Sequence, residues 1–129
     1  MKTEIYKQDI LGLDVELANV CNLKCPLCLS QLVPGFMGKN GKPVFLDVGY
    51  LIDELEQMPQ LEKLSIAGDA SEPTLHPDLF RLLDYAKSRK DLFVELYTNA
   101  SAHPKQYWTD LAYHFSGKSV VYFTICGST

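Results

Sequence analysis

No apolar run in this 129-residue chain approaches the ~20 residues that a membrane-spanning helix needs. The amino-terminal stretch MKTEIYKQDI has no apolar segment of the kind that marks a secretory signal. Positive charge is not in excess: 12 Lys plus Arg stand against 16 Asp plus Glu, a formal net charge of -4. That balance offers no electrostatic footprint for nucleic acid or for an anionic membrane surface. The chain also lacks internal repeats, low-complexity tracts, a second Cys-x2-Cys pair and any His-x3-5-His pair. The expectation is a cytoplasmic protein with no nucleic-acid or membrane partner. In that compartment thiols stay reduced, so clustered cysteines read as metal-binding or catalytic rather than as disulfides.

What is present is ordinary globular composition, 47% hydrophobic and 22% charged, at a length that suits one domain or part of one, here 1–129. Strand and helix patterns alternate. ILGLDVELANV (10–20) reads as a first strand with Leu11, Leu13, Val15 and Leu17 on one face. A loop over 29–46, containing GFMGKNGKP, exceeds the ~2–6 residues of a usual βα connection, and loops of that length often carry function. Its Lys39 and Lys42 read as a solvated face. Asp47 reads as the N-cap of a helix over VGYLIDELEQM, with Leu51, Ile52, Leu55 and Met58 inward and Pro59 closing it.

KLSIAG (63–68) reads as a second strand, followed by the polar loop DASEPTLHP. A second helix over about 78–89 buries Leu79, Leu82, Leu83 and Ala86. LFVELYT (92–98) is the third strand, and a helix over about 104–115 places Trp108, Leu111, Ala112 and Phe115 on one face. SVVYFTIC (119–126) is the fourth strand, an unbroken apolar and β-branched run that suits burial on both faces. The predicted class is α/β, with about four parallel strands and three helices. A doubly wound sheet and the beginning of a β/α barrel both accept this pattern, and both put chemistry at the carboxyl ends of the strands. Cys21, Cys25 and Cys28 fall after the first strand, Gly68 to Glu72 after the second, Thr98 and Asn99 after the third, and Cys126 at the end of the fourth. Right-handed crossovers would gather them on one rim. The flat apolar fourth strand is an edge that a further C-terminal segment or a partner chain is expected to cover.

VCNLKCPLC (20–28) puts three of the four cysteines within eight residues as Cys-x3-Cys-x2-Cys. Zinc would need a fourth ligand brought from Cys126, His76, His103 or His114, all isolated in sequence. A redox pair would use Cys25-Pro26-Leu27-Cys28 and leave Cys21 idle. A 4Fe-4S cluster on three thiolates would keep one iron open to a small molecule. Cys126 also reads as a buried strand residue, His76 as part of the turn into the second helix, and Asn99 as either a helix cap or a cofactor contact.

Taken with its surroundings, the loop resembles the signature of the radical S-adenosylmethionine superfamily, which sits after the first strand of a partial β/α barrel. GDASEPTLHPDL (68–79) resembles that family's Gly-Gly-Glu-Pro loop, YTNA (97–100) its Thr-Asn-Gly, and FTICGS (123–128) its Ser-Ile-Asp-Gly. The resemblance implies a partial barrel, three irons on Cys21, Cys25 and Cys28, and S-adenosylmethionine chelating the fourth. It implies cofactor contacts from Leu27, Gly68, Asp69, Ala70, Ser71, Glu72 and Asn99, and reductive cleavage to a 5′-deoxyadenosyl radical that abstracts hydrogen from a substrate. A low-potential donor of flavodoxin or ferredoxin type would supply the electron. The departures are Ala70 and Ser71 at the glycines, or else two residues inserted between Gly68-Asp69 and Glu72, with Leu27 at a commonly aromatic position, Ala100 for Gly and Cys126 for Asp. Two other readings stay open: a zinc module without catalysis, and a remnant that binds a cluster without turnover.

Overall fold

The computed structural model describes residues 6–33, 42–115 and 117–125. Four strands, β1 (Gly12–Val15), β2 (Lys63–Ile66), β3 (Phe93–Thr98) and β4 (Val120–Phe123), form one parallel sheet in the order β1-β2-β3-β4. Between them lie α1 (Leu29–Leu32), α2 (Val48–Glu56), α3 (Leu79–Ser88) and α4 (Lys105–His114). This is the expected α/β fold.

Asp47 starts α2 as its pattern requires: its Oδ1 accepts the Tyr50 N–H at 3.1 Å, a cap worth about 1 kcal/mol. Leu51, Leu55 and Met58 are buried from this segment, and Leu79, Leu82, Leu83 and Ala86 from α3. Full burial of a leucine such as Leu55 contributes about 2 kcal/mol. The two helices are stitched by Arg89. Its guanidinium donates to the carbonyls of Leu55 and Met58 at 3.0 Å and of Pro59 at 3.2 Å, and reaches that of Leu61 at 3.4 Å. It thereby adds a second donor to the carbonyls of Leu55 and Met58, which also accept backbone N–H groups, and places positive charge where α2 ends.

Strand order and side-chain parity decide between the two architectures. Leu64, Ile66, Val94 and Leu96 join the helical residues in one core, with Leu13, Val15 and Val121 packed against it. The alternate residues Asp14, Lys63, Ser65, Glu95 and Tyr97 line a cavity on the other face. A doubly wound sheet reverses its order and needs two apolar faces. Here the order never reverses and one face is polar, as in part of a (βα) barrel.

Four details differ from the sequence reading. The first strand is four residues long, because 17–19 leave β2 and pair with 44–46 instead: Leu46 N–H to Leu17 O at 2.8 Å, Asn19 N–H to Val44 O at 3.1 Å, and an antiparallel bridge Ala18↔Phe45. The stretch 29–32, expected as loop, forms the short helix α1. Ala112 is exposed, and Tyr107 takes its place beside Trp108, Leu111 and Phe115 at the core. Among the described residues β4 is an edge strand paired only with β3, so Val120, Tyr122 and Phe123 are exposed rather than buried on both faces. Lys39 and most of GFMGKNGKP, like Cys126, lie outside the described residues.

Candidate functional site

A cavity of about 630 Å³ opens at the carboxyl end of the sheet, lined by the cysteine loop, the loop after β2 and the end of β3. Cys21, Cys25 and Cys28 all line it, and none is in a disulfide. The sequence shapes this loop locally. The Cys28 N–H donates to Cys25 O at 3.0 Å, closing a turn that puts Pro26 at the position where its fixed φ is favoured. Cys28 then caps α1, its carbonyl accepting from the N–H groups of Gln31 and Leu32. Leu27 is the apex of the turn. Its side chain is 88% exposed and stands outside the cavity lining.

Donors reach two of the sulfurs. Leu23 N–H approaches Cys21 Sγ at 3.4 Å and Asn99 Nδ2 approaches it at 3.6 Å; Ser30 Oγ donates to Cys28 Sγ at 3.2 Å. Burial pushes the Cys21 thiol above its ordinary pKa, the Leu23 N–H pulls it back, and the charges of Glu72, Cys25 and Cys28 push it up again. Positive charge placed in this cavity would relieve that repulsion. Among the described residues, no three His, Cys, Asp or Glu side chains stand gathered as a metal-holding group. The three cysteines share a cavity wall without converging on one point.

The strand-two loop is tied to the cysteine loop at both ends. Glu72 N–H donates to Val20 O at 2.8 Å, and Cys28 Sγ approaches Asp69 O at 3.9 Å. Ala70 is buried, its N–H directed at Glu16 Oε1 at 3.4 Å. Gly68 cannot be replaced without movement, since a Cβ there would stand 2.4 Å from Ser71 Oγ and 2.5 Å from Ser71 O. That Ser71 Oγ is buried with no hydrogen-bond partner among the described residues.

Glu72, expected as a cofactor contact, is 1% exposed. Its Oε1 accepts from Thr74 Oγ1 and Thr98 Oγ1, both at 2.6 Å, and from Thr74 N–H at 3.2 Å; its Oε2 accepts from Asn99 N–H at 2.8 Å. The carboxylate therefore locks the loop after β2 to the end of β3. Asn99 caps no helix. Its Oδ1 accepts from Ser101 N–H at 2.9 Å and its Nδ2 donates to Asn22 Oδ1 at 3.0 Å, joining β3 to the cysteine loop. Ala100 follows with φ 59, the left-handed conformation in which glycine is unstrained.

The chain is 30% identical over 95 residues to a 7,8-dihydro-6-hydroxymethylpterin dimethyltransferase of Methanocaldococcus jannaschii, covering 73% of this chain and 18% of that protein. It is 28% identical over 111 residues to a tungsten-containing aldehyde ferredoxin oxidoreductase cofactor-modifying protein of Pyrococcus furiosus, covering 86% and 29%. It is 41% identical over 71 residues to the mycofactocin maturase MftC of Mycobacterium ulcerans, covering 55% and 18%. The chain thus spans less than a third of the length of these curated relatives. No family model and no solved structure matches it.

The three histidines are engaged elsewhere. His76 is buried in the turn before α3, as read from sequence, with Nε2 on Leu46 O at 2.8 Å and Nδ1 accepting Asp78 N–H at 3.1 Å. His103 sits on Thr74 O and His114 on Asp84. None lines the cavity. Sequence reasoning missed Ser30, Asn22 and the inward row Asp14, Lys63, Ser65, Glu95 and Tyr97. The row had a signal: charged and polar residues recur at every second position in GLDV, KLSI and FVELYT, the period of one strand face. No described helix is long and apolar enough to cross a membrane.

Proposed function

We propose that this chain is the cofactor-holding part of a radical S-adenosylmethionine enzyme, working in a reducing, cytoplasmic compartment. The observation that carries the reading is the meeting of Cys21, Cys25 and Cys28 with Gly68 to Glu72 and Asn99 around one cavity at the carboxyl end of a parallel sheet. The donor chemistry supports a 4Fe-4S cluster: three soft thiols, with N–H and O–H donors directed at two of them, as clusters require of their surroundings. It gives zinc little support among the described residues, where each histidine is held away from the cavity; Cys126, the other candidate fourth ligand, lies outside them. The similar proteins are named as a dimethyltransferase, a cofactor-modifying protein and a maturase, each a name for the modification of another molecule.

In this reading Cys21, Cys25 and Cys28 would hold the cluster, leaving one iron for S-adenosylmethionine. The chemistry the cluster supplies when bound is one-electron reduction of the sulfonium, with the electron drawn from a flavodoxin or ferredoxin type donor. The chain's own residues position and enclose. Leu23 N–H, Ser30 and Asn99 stabilise thiolate charge. The loop Gly68-Asp69-Ala70-Ser71 offers backbone oxygens, and Asp69 a carboxylate, to the amino group of S-adenosylmethionine. Glu72 and Asn99 hold that loop against β3, and Leu27, at the exposed apex of the turn, is left available to the adenine. Residues 1–129 act as one domain, and the exposed edge of β4 pairs with further strands of a longer chain or with a partner.

Anaerobic reconstitution with iron and sulfide, followed by dithionite and S-adenosylmethionine, should yield 5′-deoxyadenosine. Cys25→Ala should abolish both the broad thiolate-to-iron absorption and the product. Stoichiometric zinc without iron uptake would overturn the cluster. A stable cluster without 5′-deoxyadenosine would reduce the chain to a cluster-binding remnant.

A further inference from the structure

The sheet face opposite the helices takes no part in holding the cysteine loop, yet it is strongly patterned. Asp14, Ser65 and Glu95 occupy one rung of the parallel register. The small residues Ser65 on β2 and Ala67 just past its end run between Asp14 on one side and Glu95 and Tyr97 on the other, all lining the same cavity as the cysteines. Adjacent strands stand ~4.8 Å apart, so the two walls rise from backbones roughly 10 Å apart, the width of one flat group.

Glu95 is only 7% exposed. Its Oε2 takes Lys63 Nζ at 2.8 Å and the Tyr97 hydroxyl at 3.2 Å, while its Oε1 takes no donor among the described residues. Tyr97 stacks one side of its ring on Tyr122, with centroids 4.6 Å apart and planes at 14°. Its neighbour on the β2 side is Ala67, one step beyond the paired Ile66↔Leu96, which leaves room beside the ring.

We infer that this groove binds a planar substrate group with paired N–H donors: a guanidinium, an amidinium or an amino-substituted nitrogen ring. Glu95 and Asp14 accept its N–H groups and Tyr97 packs on its plane. Two carboxylates against the single ammonium of Lys63 disfavour an anion. An apolar group would leave Glu95 Oε1 buried without a donor, which is costly. That the groove is the substrate side rests on the function proposed above.

Benzamidine, its neutral isostere benzamide and N-acetyl-arginine amide are titrated into the chain before and after iron–sulfide reconstitution, with NMR shifts as the readout. At least one of the two cations should bind, and benzamide should bind benzamidine's site roughly tenfold or more weakly. The tighter cation distinguishes a ring-borne group from a peptide guanidinium. Glu95→Gln, which removes the acceptor charge, and Ala67→Leu, which fills the groove without altering charge, should each weaken cation binding roughly tenfold or more. Should Ala67→Leu fail to fold, Tyr97→Leu carries the same expectation. Equal binding of benzamide and benzamidine, no binding of either cation, or binding indifferent to these variants overturns the assignment. The titration without iron is independent of the cluster. Amidine binding without 5′-deoxyadenosine formation refutes the radical reading alone, and 5′-deoxyadenosine formation without amidine binding refutes the groove alone.

Discussion

Replacing Glu72 with Gln separates a structural carboxylate from a cofactor-binding one. The side chain is fully buried and accepts from two hydroxyls and two backbone N–H groups. The threonine hydroxyls can turn and accept from an amide NH2, but the N–H groups of Thr74 and Asn99 cannot. Oε1 faces the first and Oε2 the second, so either orientation of the glutamine amide sets donor against donor at one of them. Hydrogen bonds to a charged group are each worth about 1.5–3 kcal/mol, and a buried donor left unpaired costs about 1–3 kcal/mol. Part of this is offset, because a neutral amide is cheaper to bury than a carboxylate. The expected loss is about 2–3 kcal/mol for Glu72→Gln, and about 3–5 kcal/mol for Glu72→Ala, which strands all four donors. For a domain of this size the first figure lowers the melting temperature by roughly 10 °C. Urea unfolding and thermal melts followed by circular dichroism measure it in the protein as purified. A Glu72→Gln stability within about 0.5 kcal/mol of the parent, combined with weakened S-adenosylmethionine binding, would refute the structural role.

Arg89→Lys should cost about 1–2 kcal/mol in the same unfolding assay, since one ammonium cannot serve the carbonyls of Leu55, Met58 and Pro59 together. Gly68→Ala should destabilise by about 1–3 kcal/mol, because the added Cβ meets the Ser71 backbone as well as its side chain. It should also impair cluster retention after reconstitution, read from visible absorption, through the contact of the neighbouring Asp69 with Cys28. Burial, and secondarily the charge of Glu72, push the Tyr107 hydroxyl up to about 12. Its folded pKa lies above the ordinary value of ~10, so the stability it confers is complete below pH ~10 and is lost as pH rises toward 12. Unfolding measured across that alkaline range should show a slope that Tyr107→Phe reduces.

The helices α2 and α3 were legible because their information is local. Asp47 as a cap and the i, i+3, i+4 leucines fix start, stop and buried face without reference to the rest of the chain. The cysteine turn was legible for the same reason, since Pro26 and the two-residue spacing of Cys25 and Cys28 define a turn by themselves. Strand extent was not. The residues of ILGLDVELANV alternate throughout, but whether 17–19 pair with β2 or with 44–46 depends on the path of a segment that starts some 25 residues further on. Burial of β4 was misread because an apolar run records the composition of a strand and not the number of its neighbours. On α4, the 3.6-residue period allows either flank of the stripe, and the stacking of Tyr107 on Phe80 and His103 selected the one without Ala112.

At the site, sequence alone determined the ligand chemistry and the order of the loops: three thiols after β1, Gly68 to Glu72 after β2, Asn99 after β3. Those are matters of residue type and spacing. Only tertiary structure decided which way each side chain is committed. Glu72 turns inward because two threonines and two backbone N–H groups from separate segments converge on it. Asn99 reaches back to Asn22 and Cys21 across almost eighty residues of chain. The polar groove of Asp14, Lys63, Ser65, Glu95 and Tyr97 exists because parallel register sets three separate strands side by side. Hydrogen bonds and register are relations between distant residues, and a sequence states only the partners.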